Sequence, residues 1–188
     1  MAKIKSIKLL AGLFSKRNRG QFVVRERGGQ TIFSARPARS KKKPSAAQEL
    51  VRARFKLASL YATRILQVPE YRDIYQSYAT KGRSAHQAAM QNFLNPPVIE
   101  CIDAEGYCGM PEGMIRIKVR DKYPVSRVVV KLQTSTGFLL EEGPCKMNYE
   151  PNAWTYTTRV TKPGNETLDL FVTACDLPGN VVEKKVRL

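Results

Sequence analysis

The chain has 188 residues, 43% of them apolar, and 32 Lys/Arg against 16 Asp/Glu give it a net charge of +16. This length allows one large domain or two small ones, and the apolar share permits a real core. No apolar run approaches the roughly 20 residues that a membrane-spanning helix needs, and a lone histidine leaves little acid–base chemistry for an enzyme.

The position of the charge is more informative than its size. Residues 1–90 hold 20 Lys/Arg and 4 Asp/Glu, whereas residues 91–188 hold 12 of each. Such asymmetry points to a polyanionic partner for the first half: nucleic acid, an anionic membrane or an acidic protein surface.

In chain order, the N-terminus mimics a signal peptide, but the run Leu9–Phe14 is too short for the apolar region of one, and Lys16, Arg17 and Arg19 follow at once. Without a signal peptide or transmembrane segment, the expected location is a virion or the cytoplasm. Ile4, Ile7, Leu10 and Phe14 share one stripe of a short basic amphipathic helix, suited to docking on a protein or lying at a membrane surface. Residues 21–36 read as a hairpin around Gly28-Gly29, since a primed two-residue turn needs positive φ at both positions. That register sets Val24 opposite Phe33 and Phe22 opposite Ala35. It leaves Phe22, Val24 and Phe33 to dock on something, while Arg25, Arg27 and Arg36 mark the other face. The stretch Arg36–Pro44, with Arg39, Lys41, Lys42 and Lys43, is a basic connector. It serves either as a solvated linker or as a contact surface.

Ser45-Ala46-Ala47-Gln48 is a capping box, and the spacing predicts a helix to about Gln67 with Val51, Phe55, Ala58, Ala62 and Ile65 on one face. Pro69 opens a second helix, with Tyr71, Ile74, Tyr75 and Tyr78 as its core stripe and Gly82 as its stop. Ser84–Gln87 repeats the capping box ahead of a third helix to about Leu94, with Ala85, Ala89 and Phe93 inward. His86 in its first turn reads as an ordinary surface or capping residue. Asn95-Pro96-Pro97 marks a domain boundary.

From Val98 the period becomes two. Ile115, Ile117 and Val119 alternate with charges, and Val128, Val130 and Leu132 alternate with Arg127, Lys131 and Gln133. Leu168 to Ala174, Trp154 with Tyr156, and Val181–Val186 give further strands. Turn signals separate them at 121–124, 136–137, 142–144, 162–165 and 177–180. Short strands at this spacing predict a small antiparallel sandwich. Cys101, Cys108, Cys145 and Cys175 form no C-x-x-C pair and have no histidine nearby, so they read as free thiols in the β core and not as a metal site. A Cys145–Cys175 bridge is an open alternative but not implied. Glu141-Glu142 lies beside a turn and reads as solvated.

Ala174-Cys175-Asp176-Leu177-Pro178-Gly179-Asn180, preceded by Trp154-x-Tyr156, resembles the A-x-D-x-x-G-N signature late in many bacterial immunoglobulin-like modules. The resemblance covers about 90 residues and implies a fold, not an activity. Residues 12–95, with a Gly-containing hairpin, Arg36 to Arg39 around Pro37, Ser45-x-x-Gln48 and Arg52-x-Arg54-Phe55, resemble small uncharacterised proteins of Bacteroides-group bacteria and their phages. They depart from that pattern in lacking a tryptophan near the hairpin and in carrying more lysine. This second resemblance implies a non-enzymatic, virion-associated protein.

The expectation is therefore an α+β chain: a basic β-hairpin plus helices over 1–95, then an immunoglobulin-like antiparallel β-sandwich over 98–188. There is no phosphate loop, nucleophile elbow or zinc motif, so neither catalysis nor a cofactor is expected. Lys16, Arg17, Arg19, Arg25, Arg27, Arg36, Arg39, Lys41, Lys42 and Lys43 are the expected polyanion-binding residues. Expected partners are other structural subunits in a multimeric assembly, or DNA or RNA through non-specific phosphate contacts. A phage head or capsid-associated component fits best. The alternative is a cellular nucleic-acid-binding protein with an accessory sandwich, and no helix-turn-helix, zinc-finger or RNP signature supports sequence-specific reading.

Overall fold

A computed structural model describes residues 2–4, 22–27, 29–36, 43–150, 152–162, 164 and 167–188, in two units, Met1–Met90 and Gln91–Leu188. In the first unit, β1 (Ala2–Ile4), β2 (Phe22–Arg27) and β3 (Gln30–Ala35) form an antiparallel sheet in the order β1-β3-β2. Phe22 lies opposite Ala35 and Val24 opposite Phe33. Gly29, between β2 and β3, has φ 73°, a value that glycine adopts without steric cost. Ile4 pairs with Thr31 of β3 and so belongs to a strand, not to an amphipathic helix. With β1 on one side and β2 on the other, β3 has partners along both edges. Ile7, Leu10 and Phe14 lie outside the described residues.

Helix α1 spans Ala46–Ile65 and opens on a complete capping box, with Gln48 N–H donating to Ser45 Oγ and Ser45 N–H to Gln48 Oε1. Its buried residues are Ala58 and Ala62. The predicted face therefore holds only in the second half of the helix, because Val51 and Phe55 are exposed. Helix α2 spans Pro69–Ser77 with proline in its first turn, where a missing N–H costs nothing. Tyr75 is fully buried on its inner stripe, and its hydroxyl lies 3.0 Å from that of Tyr61 on α1. Gly82 does not stop α2. The helix ends at Tyr78, whose carbonyl accepts from Arg83 Nε and Nη2, so a guanidinium does the work expected of a glycine cap. Helix α3 spans Ala85–Leu94 behind a second capping pair, Ser84 and Gln87. Its buried residues include Ala88 and Ala89, with Ala85 and Phe93 only half-buried.

The second unit holds eight strands among the described residues: β4 (Val98–Asp103), β5 (Met114–Arg120), β6 (Val125–Thr134), β7 (Leu139–Pro144), β8 (Lys146–Met147), β9 (Ala153–Thr157), β10 (Leu168–Asp176) and β11 (Val181–Arg187). They form two antiparallel four-stranded sheets, β11-β10-β6-β7 and β4-β5-β9-β8. Ile115, Ile117 and Val119 from one sheet meet Val128, Val130, Leu132, Leu170, Val172 and Ala174 from the other in one buried cluster, with Trp154 and Tyr156 beside them. This is a β-sandwich in which each inner face is the apolar half of an alternating pattern.

Two expectations fail here for visible reasons. Glu142-Gly143-Pro144 is not a turn but the end of β7, paired with Val129 and Val130. The ring of Tyr156 lies against Gly143, and a Cβ there would stand 3.0 Å from Tyr156 Cε2. The glycine serves that close approach, not a change of direction. The cysteines are all free, but they are not all in the core: Cys101 and Cys108 are exposed, Cys175 is half-buried and only Cys145 is buried. A register shift in β4 between Ile99 and Cys101 sets Cys101 opposite Lys118, on the outward face. Burial pushes the Cys145 thiol up to about 12.

The segment from Asp176 to Asn180 organises one end of the sandwich. Asn180 N–H and Nδ2 donate to the two carboxylate oxygens of Asp176, each at 2.7 Å. Gly179 takes φ 89° between them. Asn180 Nδ2 also donates to the carbonyls of Asn92 and Phe93, each at 3.3 Å, in the turn of α3 that belongs to this unit. These carbonyls belong to the last turn of α3, where a helix end relies on partners from outside its own ladder. Tyr123 adds a hydroxyl donated to Gln91 Oε1 at 2.9 Å.

Two outcomes follow from this packing. A fragment 91–188 is expected to unfold in urea as one cooperative transition. A fragment 98–188 should fold as well, but be less stable by about 1–2 kcal/mol, since Asn180 and Tyr123 lose their partners; equal midpoints would contradict the role given to residues 91–94. On brief alkylation of the native protein followed by mass measurement, Cys101 and Cys108 should be labelled and Cys145 left intact until denaturant is added. Rapid native labelling of Cys145 would mean that the sandwich core is open.

Candidate partner-binding surface

The described part of the basic region presents Arg25 on β2 and Arg36 just beyond β3, both exposed, and Lys43 exposed before α1. Arg27 is placed in β2 by its backbone, opposite Gln30. Lys16, Arg17, Arg19, Arg39, Lys41 and Lys42 lie outside the described residues. Of the three residues expected to dock, Phe22 is placed by its backbone pairing alone. Val24 is exposed and Phe33 opposite it is half-buried. Because β-strand side chains alternate, Val24 and Phe33 share one face of the small sheet while Arg25 and Ile32 share the other.

Arg25 is not isolated. It lines an open cavity of about 670 Å3 together with Ile32, Ser34, Lys81, Arg83 and Gln87. Sequence reasoning missed Lys81 and Arg83, which flank Gly82 in the connection between α2 and α3. Their signal was two basic residues around a glycine outside any helical stripe. Arg83 is spent on the Tyr78 carbonyl, so it stiffens the cavity wall. Lys81 is exposed, and its Cε stands 3.9 Å from where a Cβ on Gly29 would sit. Thus strand β2 and the α2–α3 connection bring Arg25 and Lys81 to one concave surface, where Glu26 also lies, so its cations outnumber its one acid. His86 is half-buried in α3, with its Nε2 3.4 Å from the Thr63 hydroxyl.

The second unit offers a different surface. An open cavity of about 570 Å3 on the outer face of β5 and β9 is lined by Asp103, Arg116, Lys118, Tyr149 and Glu150, so its charges are of both signs. Lys185 and Arg187 of β11 are held by Asp169, at 2.8 and 3.3 Å, and Arg120 is held by Glu100. The bond from Lys185, with that from Arg187, holds the Asp169 carboxyl below the usual carboxylate range. Glu141 is not solvated as the sequence suggested: its Oε2 accepts from Tyr156 Oη at 3.2 Å and from Arg159 N–H at 3.0 Å, while its Oε1 is buried without a hydrogen bond. Burial, with Glu141 second, raises the Tyr156 hydroxyl to about 12. Glu142, one residue on, points outward and is exposed.

Among the described residues, no group of three or more His, Cys, Asp or Glu is placed to hold a metal ion. None of the described helices is long and apolar enough to cross a membrane.

No family model matches the chain, and no curated protein matches it. Among the solved structures that match part of the chain are two with low overall superposition. One is CopC from Methylosinus trichosporium OB3b, at 16% identity and TM-score 0.38, with 48% of this chain and 89% of that one covered. The other is a conjugative transposon lipoprotein from Bacteroides eggerthii DSM 20697, at 12% identity and TM-score 0.26, with 49% of this chain and 93% of that one covered.

Proposed function

We propose that this chain is a non-enzymatic assembly protein, a head or capsid-associated component of a phage virion. Its basic arm holds an acidic capsid surface or the packaged genome, and its sandwich packs against neighbours or is displayed. The observation that carries this reading is the segregation of charge: the whole excess of +16 lies in residues 1–90, and residues 91–188 are neutral. Like charges at that density repel one another, so a compensating partner is expected. Arg25, Lys81 and Arg83 outnumber Glu26 on one concave surface, which extends the argument in weaker form to side chains far apart in sequence. A catalytic role finds no support in the side chains around His86, whose ring partner is a threonine hydroxyl.

The sandwich is proposed to be immunoglobulin-like. Numbered as strands A to G in chain order, with β7 as an additional strand after C, its two sheets read A-B-E-D and G-F-C followed by the extra strand. That order supports an immunoglobulin-like reading with one strand added to the second sheet. The turn from Asp176 to Asn180, which closes on itself through paired side-chain hydrogen bonds, suits the A-x-D-x-x-G-N resemblance.

The test compares binding to random-sequence DNA and to phage particles from the source culture, each across a salt series. The proteins are wild type, Phe33→Ala, and the triple variant with Lys41, Lys42 and Lys43 changed to Gln. The expected outcome is particle binding that survives moderate salt and is weakened by either change, because apolar contacts lose little to screening. DNA binding by free protein should be weak. Tight DNA binding with a log–log salt slope near about −5, as engagement of about six phosphates gives, and with no particle association, would overturn this reading in favour of a cellular nucleic-acid-binding protein.

A further inference from the structure

From Ala46 to Leu57, every residue of α1 is exposed. That stretch is three turns, about 18 Å of helix, and it is not polar. Leu50 is 72% exposed, Val51 68%, Phe55 56% and Leu57 57%, and Leu60 one turn on is 48% exposed. Scattered apolar residues on a surface are normal, but a contiguous row is not. The row has a definite spacing. Leu50, Ala53, Leu57 and Leu60 recur at intervals of three, four and three residues, which is the a/d seam of a helix that packs against another helix. The seam lies beside, not on, the face that Ala58 and Ala62 bury within the unit.

The positions that flank this seam hold Arg54 and Lys56 against Glu49, with Tyr61 beside Leu60, so cations outnumber the one acid of the helix, and Arg64 stands where the seam would continue one turn past Leu60. Arg52 lies on the far side. Positions beside an a/d seam select the partner by charge. A second copy of this chain would bring the same cations against themselves, in a unit that already carries a large positive excess. An anionic bilayer would want one broad apolar face, whereas Arg54 divides the Leu50–Leu57 row from Val51 and Phe55. We propose that the outer seam of α1 is a docking face for an acidic amphipathic helix of a partner protein, with Leu50, Leu57 and Leu60 as its anchors. This inference goes beyond the functional reading above. It stands on α1 alone and does not require the assembly to be a virion.

The test uses the full chain and a fluorescently labelled synthetic peptide of three heptads, with Leu at a and d and Glu at e and g. Controls are the same peptide with Lys at e and g, and vesicles containing phosphatidylglycerol. The variants are Leu50→Gln and Leu57→Gln. Both positions are exposed, so thermal midpoints should stay at the wild-type value. Anisotropy is expected to show that the Glu peptide binds and the Lys peptide does not. Each variant should weaken binding by about tenfold or more. Several outcomes overturn the proposal. They are failure of the Glu peptide to bind, binding unchanged by both variants, and a wild-type dimer in sedimentation equilibrium that Leu57→Gln dissolves. Vesicle binding that depends on Leu57 would overturn it too. So would a variant midpoint several degrees low, which would mean that the chain itself covers the seam.

Discussion

Leu170, Val172 and Ala174 sit on a strand flanked on both sides, β6 on one and β11 on the other, and their side chains meet Ile115, Ile117 and Val119 across the layer. Because side chains along a strand alternate, a slip of one residue in β10 would turn all three outward and turn Phe171, Thr173 and Cys175 inward. The dry layer therefore fixes the register of both neighbouring pairs at once. Much else in this unit is a consequence: Asp169 meets Arg187 across the strands, Gly143 comes under the ring of Tyr156, and Cys101 is turned outward by the one shift that β4 makes.

The first unit rests on a different balance. Its described buried residues are small or lie at one place: Ala58, Ala62, Ala88 and Ala89, with Tyr75 and Met90. Alanine burial lets helices approach closely but removes little apolar area from water, so each such residue contributes less than a leucine would. Local devices carry more of the load. Two Ser/Gln capping boxes, a proline in the first turn of α2 and the Arg83 guanidinium on Tyr78 each satisfy helix ends that would otherwise compete for water. The larger apolar residues, Leu50, Val51, Phe55, Leu57 and Leu60, are left outside. This pattern is the reverse of an ordinary small domain, and it is why the surface of α1 carries the strongest inference in the molecule.

What the sequence made legible follows from how local each signal is. The capping boxes at Ser45 and Ser84 involve four consecutive residues, and both appear as read. The period of two places Ile115, Ile117, Val119, Val128, Val130, Leu132, Leu168, Leu170, Val172 and Ala174 on inner faces, and each of these is buried. Signals that depend on distant residues were misread. Gly143-Pro144 has the composition of a turn, but pairing with Val129 and Val130 of β6 holds it in a strand, where Tyr156 packs against the glycine. Gly82 has the composition of a helix stop, but α2 had already ended on Arg83. Glu141 looks solvated until Tyr156 and the Arg159 backbone are brought to it. For the candidate surface, Arg25 was legible as one basic residue among many, while its neighbour Lys81 needed two connections to fold together. Val51 and Phe55 share a stripe with Ala58 and Ala62, and periodicity has no means of saying which half of a stripe finds a cover.

Charge and apolar exposure are usually opposed on a surface, because each isolates a protein from the partners that the other attracts. Here they coincide in one unit. A basic surface accelerates encounter with an acidic partner but holds it weakly in salt, since exposed charges are screened over about a nanometre. An apolar seam gains little from salt and gives no long-range guidance, but it slows departure once water has been excluded from it. The two together fit an element that must first be drawn to an acidic surface and then remain there. Ordering such a unit against its partner would also stabilise it by mass action, which offsets the small described core. The neutral sandwich does not need this. Its charges are equal in number, and some are paired within its own sheets, Lys185 and Arg187 with Asp169 and Arg120 with Glu100, so it presents a balanced surface wherever the basic unit is anchored.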